Sequence, residues 1–157
     1  MKAVSVSTIK KELNHLSSDE LTELCLRLAK FKQENKELLT YLLFEAHDET
    51  AYIETVKAEV DSQFEQINTS SYYYIRKSVR KILRTIKKFA RYSLNKETEV
   101  ELLLHFCHNL KHLEPSINNN VTLTNTYKRQ LALVKKIVSA LHEDLQYDYN
   151  LKISEMT

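Results

Sequence analysis

The chain contains no glycine among its 157 residues. Glycine makes up about 7% of an average protein, so a chain of this length would ordinarily contain about eleven. Phosphate-binding loops, dinucleotide fingerprints and nucleophile elbows all need glycine, because only a residue without a Cβ lets the backbone approach a phosphate or an oxyanion closely. The sequence therefore excludes those classes of active site, and we predict no catalytic residues.

The remaining composition favours helices. The chain has one proline, no tryptophan and 28% charged residues, and apolar residues recur every three or four positions, as in helices that bury one face. We predict an all-α fold with six or seven helices in antiparallel hairpins, arranged as a helical bundle or a short α-α superhelix. Residues 1–157 are predicted to form a single all-helical domain, with loose termini at 1–5 and 150–157.

Several local patterns predict where helices begin and end. Ser17 and Glu20 have the spacing of a capping box. Asn68 and Asn95 follow two predicted helices, where asparagine is the best substitute for glycine in the left-handed backbone conformation. Residues 38–44 are apolar nearly all round, which predicts a central helix. Residues 124–148 repeat large apolar side chains at three- and four-residue spacing, which predicts one long final helix.

The formal net charge is only +2 at pH 7, so binding to a polyanion would depend on local clustering of cations. No uninterrupted apolar stretch reaches the ~18 residues of a transmembrane helix, and the N-terminus lacks the apolar core of a signal peptide. We therefore expect no transmembrane segment and a cytoplasmic location. Cys25 and Cys107 lie on apolar helical faces, which predicts two buried thiols rather than a disulfide or a metal site.

The first functional signal is a cationic helix with no acidic residue between Gln66 and Lys96. Same-sign neighbours four residues apart oppose an isolated helix by about 0.2 to 0.5 kcal/mol each, so something should neutralise them. Tyr73, with Tyr72 and Tyr74, lies at the start of this helix and offers a stacking platform for unpaired bases. The cations are Arg76, Lys77, Arg80, Lys81, Arg84, Lys87, Lys88 and Arg91.

Two interpretations of this cluster remain open. The internal one pairs it with the preceding acidic helix, placing Asp61 near Lys77 or Arg80, and Glu54 near Arg84 or Lys87. The external one supplies an anion from an acidic protein, from an RNA or DNA backbone or from a membrane surface. Internal pairing would make the cluster structural, whereas solvent exposure would favour binding.

The second signal is a histidine stripe made of Glu101, His105, His108 and His112. Their spacings of four, three and four place them on one side of a helix, where neighbouring pairs can chelate zinc or a similar ion. The alternative is that they are boundary histidines at the edge of the core. We predict no cofactor apart from that ion.

These signals favour a small helical interaction or scaffold domain. The nine tyrosines and the amphipathic helices favour a protein partner or self-association, with the cationic helix as the binding surface. The alternatives are a nucleic-acid-binding protein that uses the same helix and a metal-binding protein that uses the histidine stripe.

Overall fold

The computed structural model describes residues Met1–Thr157, and every regular element in it is a helix. The prediction of an all-α fold is confirmed, but there are eight α-helices rather than six or seven. The residue contacts fall into two compact units, Met1–Phe44 and Glu45–Thr157, and the single domain over 1–157 stays a prediction. None of the helices combines the length and the apolar character that crossing a membrane requires.

The first unit contains α1 (Val6–Leu13), α2 (Ser18–Phe31) and α3 (Gln33–Thr40), of which α2 and α3 pack together. The predicted capping box begins α2. The Ser17 hydroxyl accepts a hydrogen bond from the Glu20 N–H at 3.2 Å, and the Ser17 N–H donates to Glu20 Oε2 at 2.7 Å. Two free N–H groups of the first turn are thereby satisfied.

The prediction of a central helix at residues 38–44 is wrong. After Thr40 the chain continues as a π-helical turn, Tyr41–Glu45, in which Tyr41 is buried. Leu38 is 37% exposed and Phe44 is 65% exposed. A segment that is apolar on all sides needs neighbours on all sides, and within this unit only α2 packs extensively against α3.

The second unit contains α4 (Glu49–Glu65), α5 (Tyr72–Ser93), α6 (Lys96–Lys111), α7 (Val121–Val138) and α8 (Glu143–Met156), with a 3₁₀ turn at Ile117–Asn119. The central helix is α6, which packs against α4, α5, α7 and α8. Phe106 and Cys107 are fully buried there. Cys107 is buried as predicted, whereas Cys25 is exposed, because the groove that it lines between α2 and α3 is open to solvent.

Neither Asn68 nor Asn95 ends a helix in the left-handed conformation. The left-handed residue at the end of α5 is Leu94, with φ 58°, and no other residue has a positive φ. Asn95 instead caps α6, where its Oδ1 accepts a hydrogen bond from the Glu97 N–H at 2.9 Å. The expectation that Asn68 and Asn95 replace glycine in the left-handed conformation is therefore wrong.

The predicted final helix over 124–148 is two helices. α7 ends at Val138 and α8 begins at Glu143, after His142. The Nδ1 of His142 accepts a hydrogen bond from the Asp144 N–H at 3.3 Å and so caps α8. Residues 150–156, expected to be a loose end, belong to α8, in which Ile153 is buried.

Candidate partner-binding surface

α5 separates its apolar and its charged residues onto opposite faces. Its buried residues recur every three or four positions, which is the spacing of one helical face; they are Ile75, Val79, Ile82, Ile86 and Ala90. The opposite face, here called the cationic face, consists of Arg76, Lys77, Arg80, Lys81, Arg84, Lys87, Lys88 and Arg91. Arg76 and Lys88 are half-buried and the other six are exposed.

The cationic face is largely unpaired. Lys88 lies over the Phe89 ring, with Nζ 4.8 Å from the ring centroid, and it has further contacts. The side chains of the other seven cations form no hydrogen bond and no ion pair within 4.0 Å. The charges are thus available to a partner, which is the condition that the external interpretation requires.

Asp61 and Glu54, the two α4 carboxylates expected to pair with this face, have partners elsewhere. Asp61 Oδ1 lies 2.5 Å from His105 Nε2 and accepts a hydrogen bond from Asn109 Nδ2 at 2.8 Å. Glu54 Oε1 lies 3.2 Å from Lys57 Nζ on its own helix. Neither carboxylate forms the ion pairs with α5 that the internal interpretation predicted, because α4 directs Asp61 towards α6.

The three tyrosines at the start of α5 have different environments. The Tyr72 hydroxyl donates a hydrogen bond to the Ser116 carbonyl oxygen at 2.8 Å, so this side chain is structural. Tyr73 is 61% exposed and Tyr74 is 46% exposed, with their ring centroids 5.3 Å apart. At about 100° per residue, Tyr73 lies on the same line along the helix as Arg80 and Arg91.

The predicted histidine stripe is divided in the structure. Glu101 lies between two lysines, with Lys57 Nζ 3.1 Å from its Oε2 and Lys152 Nζ 2.8 Å from its Oε1. Burial alone would raise the pKa of Glu101, but the hydrogen bonds from Lys152 and Lys57, together with their charges, outweigh it and lower the pKa. Burial alone would lower the pKa of Lys57, whereas its contacts with Glu101 and Glu54 raise it above the ordinary value.

The three histidines have different partners: one faces a carboxylate, and the other two pack ring against ring. His105 faces Asp61, while the rings of His108 and His112 lie 4.4 Å apart and His112 Nδ1 lies 2.8 Å from the His108 carbonyl oxygen. Burial, then the neighbouring His112 and His105, lower the pKa of His108. No group of three or more histidine, cysteine, aspartate or glutamate side chains is placed to hold a metal ion.

Sequence reasoning missed the three-helix bridge formed by Lys57, Glu101 and Lys152. These residues connect α4, α6 and α8 at one edge of a polar cleft of about 390 Å³, whose lining includes Glu101 and Tyr149. One signal was available: Lys57 is the lone cation of α4, and a single lysine among many carboxylates is a candidate for a specific ion pair. Nothing comparable in the sequence points to Lys152.

Comparison with known proteins gives this surface no assigned role. No protein-family model, no curated protein and no solved structure matches the chain.

Proposed function

We propose that the chain is an interaction module that binds an acidic protein partner through the cationic face of α5. The observation that supports this proposal is that six of the eight cations on that face are exposed and that seven of them, all except Lys88, form no ion pair. Like charges four residues apart on this face repel one another, and a partner of opposite charge would relieve that repulsion. The cytoplasmic location expected from the sequence stays a prediction.

Repulsion among the cations of this face destabilises α5. Five same-sign pairs stand four residues apart between Arg76 and Arg91, and together they oppose the helix by about 1 to 2.5 kcal/mol. The burial of the opposite face, including Ile75 and Ile86 at 0% exposure, more than offsets this cost, because each buried apolar side chain contributes about 1.5 to 3 kcal/mol. A bound row of carboxylates would remove the repulsion.

The geometry suits a partner that presents several carboxylates in a row. From Arg76 to Arg91 the helix extends about 22 Å. Four of the eight cations are arginines, whose planar guanidinium groups bind carboxylates through two parallel hydrogen bonds. An acidic helix or an extended acidic segment offers charges over that distance.

A charge-removal variant tests the proposal. We expect labelled poly-L-glutamate to bind the wild-type protein, and added salt to weaken that binding because the charges are exposed. The triple variant Arg80→Gln, Arg84→Gln, Lys87→Gln should bind at least about tenfold more weakly, a change of ~1.4 kcal/mol. Fluorescence anisotropy at fixed ionic strength measures both affinities.

The matched control removes the same net charge from another helix. Lys128, Lys135 and Lys136 are exposed cations of α7 without ion pairs, and their replacement by glutamine should leave the affinity nearly unchanged. Equal weakening in both triple variants would mean that only net charge matters and would refute a dedicated surface on α5. Circular dichroism should show the same helical content in all three proteins.

Single-stranded nucleic acid is the second candidate, and one observation favours it. Tyr73 is exposed in line with the cations, and stacking of a base on an aromatic ring contributes about 1 to 3 kcal/mol. If nucleic acid is the partner, oligo(dT) binds more tightly than poly-L-glutamate, and Tyr73→Ala weakens it at least about fivefold. Tyr147→Ala is the control, since Tyr147 is 68% exposed on α8.

A further inference from the structure

The hairpin of α2 and α3 leaves most of its apolar side chains in contact with water. Ala29 is the one buried residue of α2, and α3 has none. Leu24, Leu28 and Phe31 are 38%, 52% and 75% exposed. They follow Leu21 at intervals of three and four residues and so form one stripe along α2. Contiguous exposed apolar stripes of this kind mark interaction sites on soluble proteins.

The stripe borders an apolar groove between the two helices. Leu28 lines this groove of about 200 Å³ together with Leu38 and Leu42 of the adjoining segment. On its other side Leu28 lines a second hollow with Leu24 and Phe31. The apolar surface is therefore continuous across the hairpin, with Leu28 at its centre.

The charges beside the stripe are arranged so that a second copy of the same helix would complement them. The first half of α2 is acidic, with Asp19, Glu20 and Glu23, and its second half is basic, with Arg27 and Lys30. Glu23 and Arg27 form no ion pair within 4.0 Å. At about 100° per residue they lie on the same flank of the stripe.

We propose that two copies associate through α2 in antiparallel orientation, about a two-fold axis level with Cys25. Glu23 and Arg27 are each two residues from position 25, so the axis places Glu23 opposite Arg27 of the partner subunit, and the reverse. A two-fold interface is self-complementary, as these charges require. In a parallel pair the two-fold axis runs along the helices and puts Glu23 of the two copies on opposite flanks, so neither meets Arg27 of the partner subunit. Only the antiparallel orientation makes both contacts.

The size of the interface requires both helices. A standard interface buries about 800 Å² on each partner, whereas α2 alone presents a face ~21 Å long and ~10 Å wide. The groove residues Leu38 and Leu42 therefore belong to the contact, which is a packing of hairpin on hairpin.

Two leucines of α2 provide a matched test. Leu26 is 49% exposed and Leu28 is 52% exposed, but Leu26 lies on the opposite side of the helix. In sedimentation velocity over a dilution series, we expect the wild-type protein to be a reversible dimer. Leu28→Asp should raise the dissociation constant at least about tenfold, and Leu26→Asp should change it by less than about twofold. A monomeric wild-type protein, or equal effects of the two substitutions, would overturn the proposal.

A charge exchange tests the orientation without changing the apolar surface. Glu23→Arg alone and Arg27→Glu alone each create two like-charge contacts in the dimer, so each variant should be mainly monomeric. An equimolar mixture of the two variants has only opposite charges across the axis, and we expect it to dimerise as well as the wild type. Failure of the mixture to associate would refute the antiparallel arrangement.

Discussion

Glu101 shows how a single carboxylate can hold three helices together. It extends from α6 and contacts Lys57 of α4 and Lys152 of α8 at 3.1 and 2.8 Å. The side chains of Glu101 and Lys57 are each 20% exposed, so solvent screens this contact less than it screens an exposed pair. The pairing keeps Glu101 ionised to lower pH than an isolated glutamate.

Replacing Glu101 should therefore affect stability in a pH-dependent way. We expect Glu101→Gln to lower the free energy of unfolding by about 1 kcal/mol near neutral pH. Because the pKa of Glu101 is lower in the folded state than its ordinary value of 4.5, its stabilisation is complete above that value and is lost as the pH falls through the folded pKa. The difference between the two proteins should shrink in that acidic range.

Urea unfolding at a series of pH values measures this difference. Glu65→Gln serves as the control, since Glu65 is exposed and forms no ion pair; it should change stability little at any pH. A Glu101→Gln effect that keeps its full size in acid would contradict the assigned ion pair.

The two cysteines should differ sharply in reactivity. Burial raises the pKa of the Cys107 thiol to about 12, so the reactive thiolate is scarce and the side chain is inaccessible. Cys25 is exposed. Titration of the native protein with a chromogenic disulfide reagent, at a dilution at which it is monomeric, should modify Cys25 rapidly and Cys107 only after unfolding. Rapid modification of the native Cys25→Ser variant would contradict the burial of Cys107.

Between elements, the junction of α5 and α6 depends on a left-handed leucine. Leu94 has φ 58° and is 82% exposed, and the left-handed region costs a residue with a Cβ about 1 to 2 kcal/mol. Glycine has no such cost but loses more chain entropy on folding. We expect Leu94→Gly to raise the free energy of unfolding by about 0.5 to 1 kcal/mol.

A β-branched residue at the same position should have the opposite effect. Valine tolerates positive φ less well than leucine, so Leu94→Val should destabilise the protein. Thermal unfolding of the three proteins gives the order. Equal stability of the glycine and valine variants would show that position 94 is not held in the left-handed conformation.

Periodicity predicts the faces of a helix better than it predicts their partners. The repeat that contains Ile75 and Ile86 fixes which side of α5 is buried, and the cationic face follows because it lies opposite. The partner of Asp61 could not be predicted in this way. It depends on the rotation of α4 about its own axis, which is set when Val56 and Val60 enter the core.

Helix ends were predictable only where a side chain makes a local bond. Ser17 and Glu20 form their capping box with each other, so the sequence pattern contains the whole interaction. Asparagine is favoured both at the N-cap that begins a helix and at the left-handed position that ends one. The sequence therefore allows either role for Asn95, and the path of the chain decides which role it takes. The break before His142 was hidden because the apolar repeat continues through it.

At the scale of the whole molecule, a net charge of +2 conceals a strong separation of charge. The Glu45–Thr157 unit directs the carboxylates of Asp61 and Glu101 into contacts among its own helices, while six of the eight cations of α5 remain exposed. A one-signed surface of this kind attracts anionic partners from a distance and accelerates their association. This exposed cationic face is the feature on which the proposed partner binding depends.

The most direct test follows the backbone amide signals of the isotopically labelled protein by NMR during titration with poly-L-glutamate. The cationic face predicts that shift changes concentrate between Arg76 and Arg91 and leave the amides around Lys135 on α7 unchanged. Shift changes spread evenly over the lysines and arginines of the chain, or centred on another helix, would contradict it.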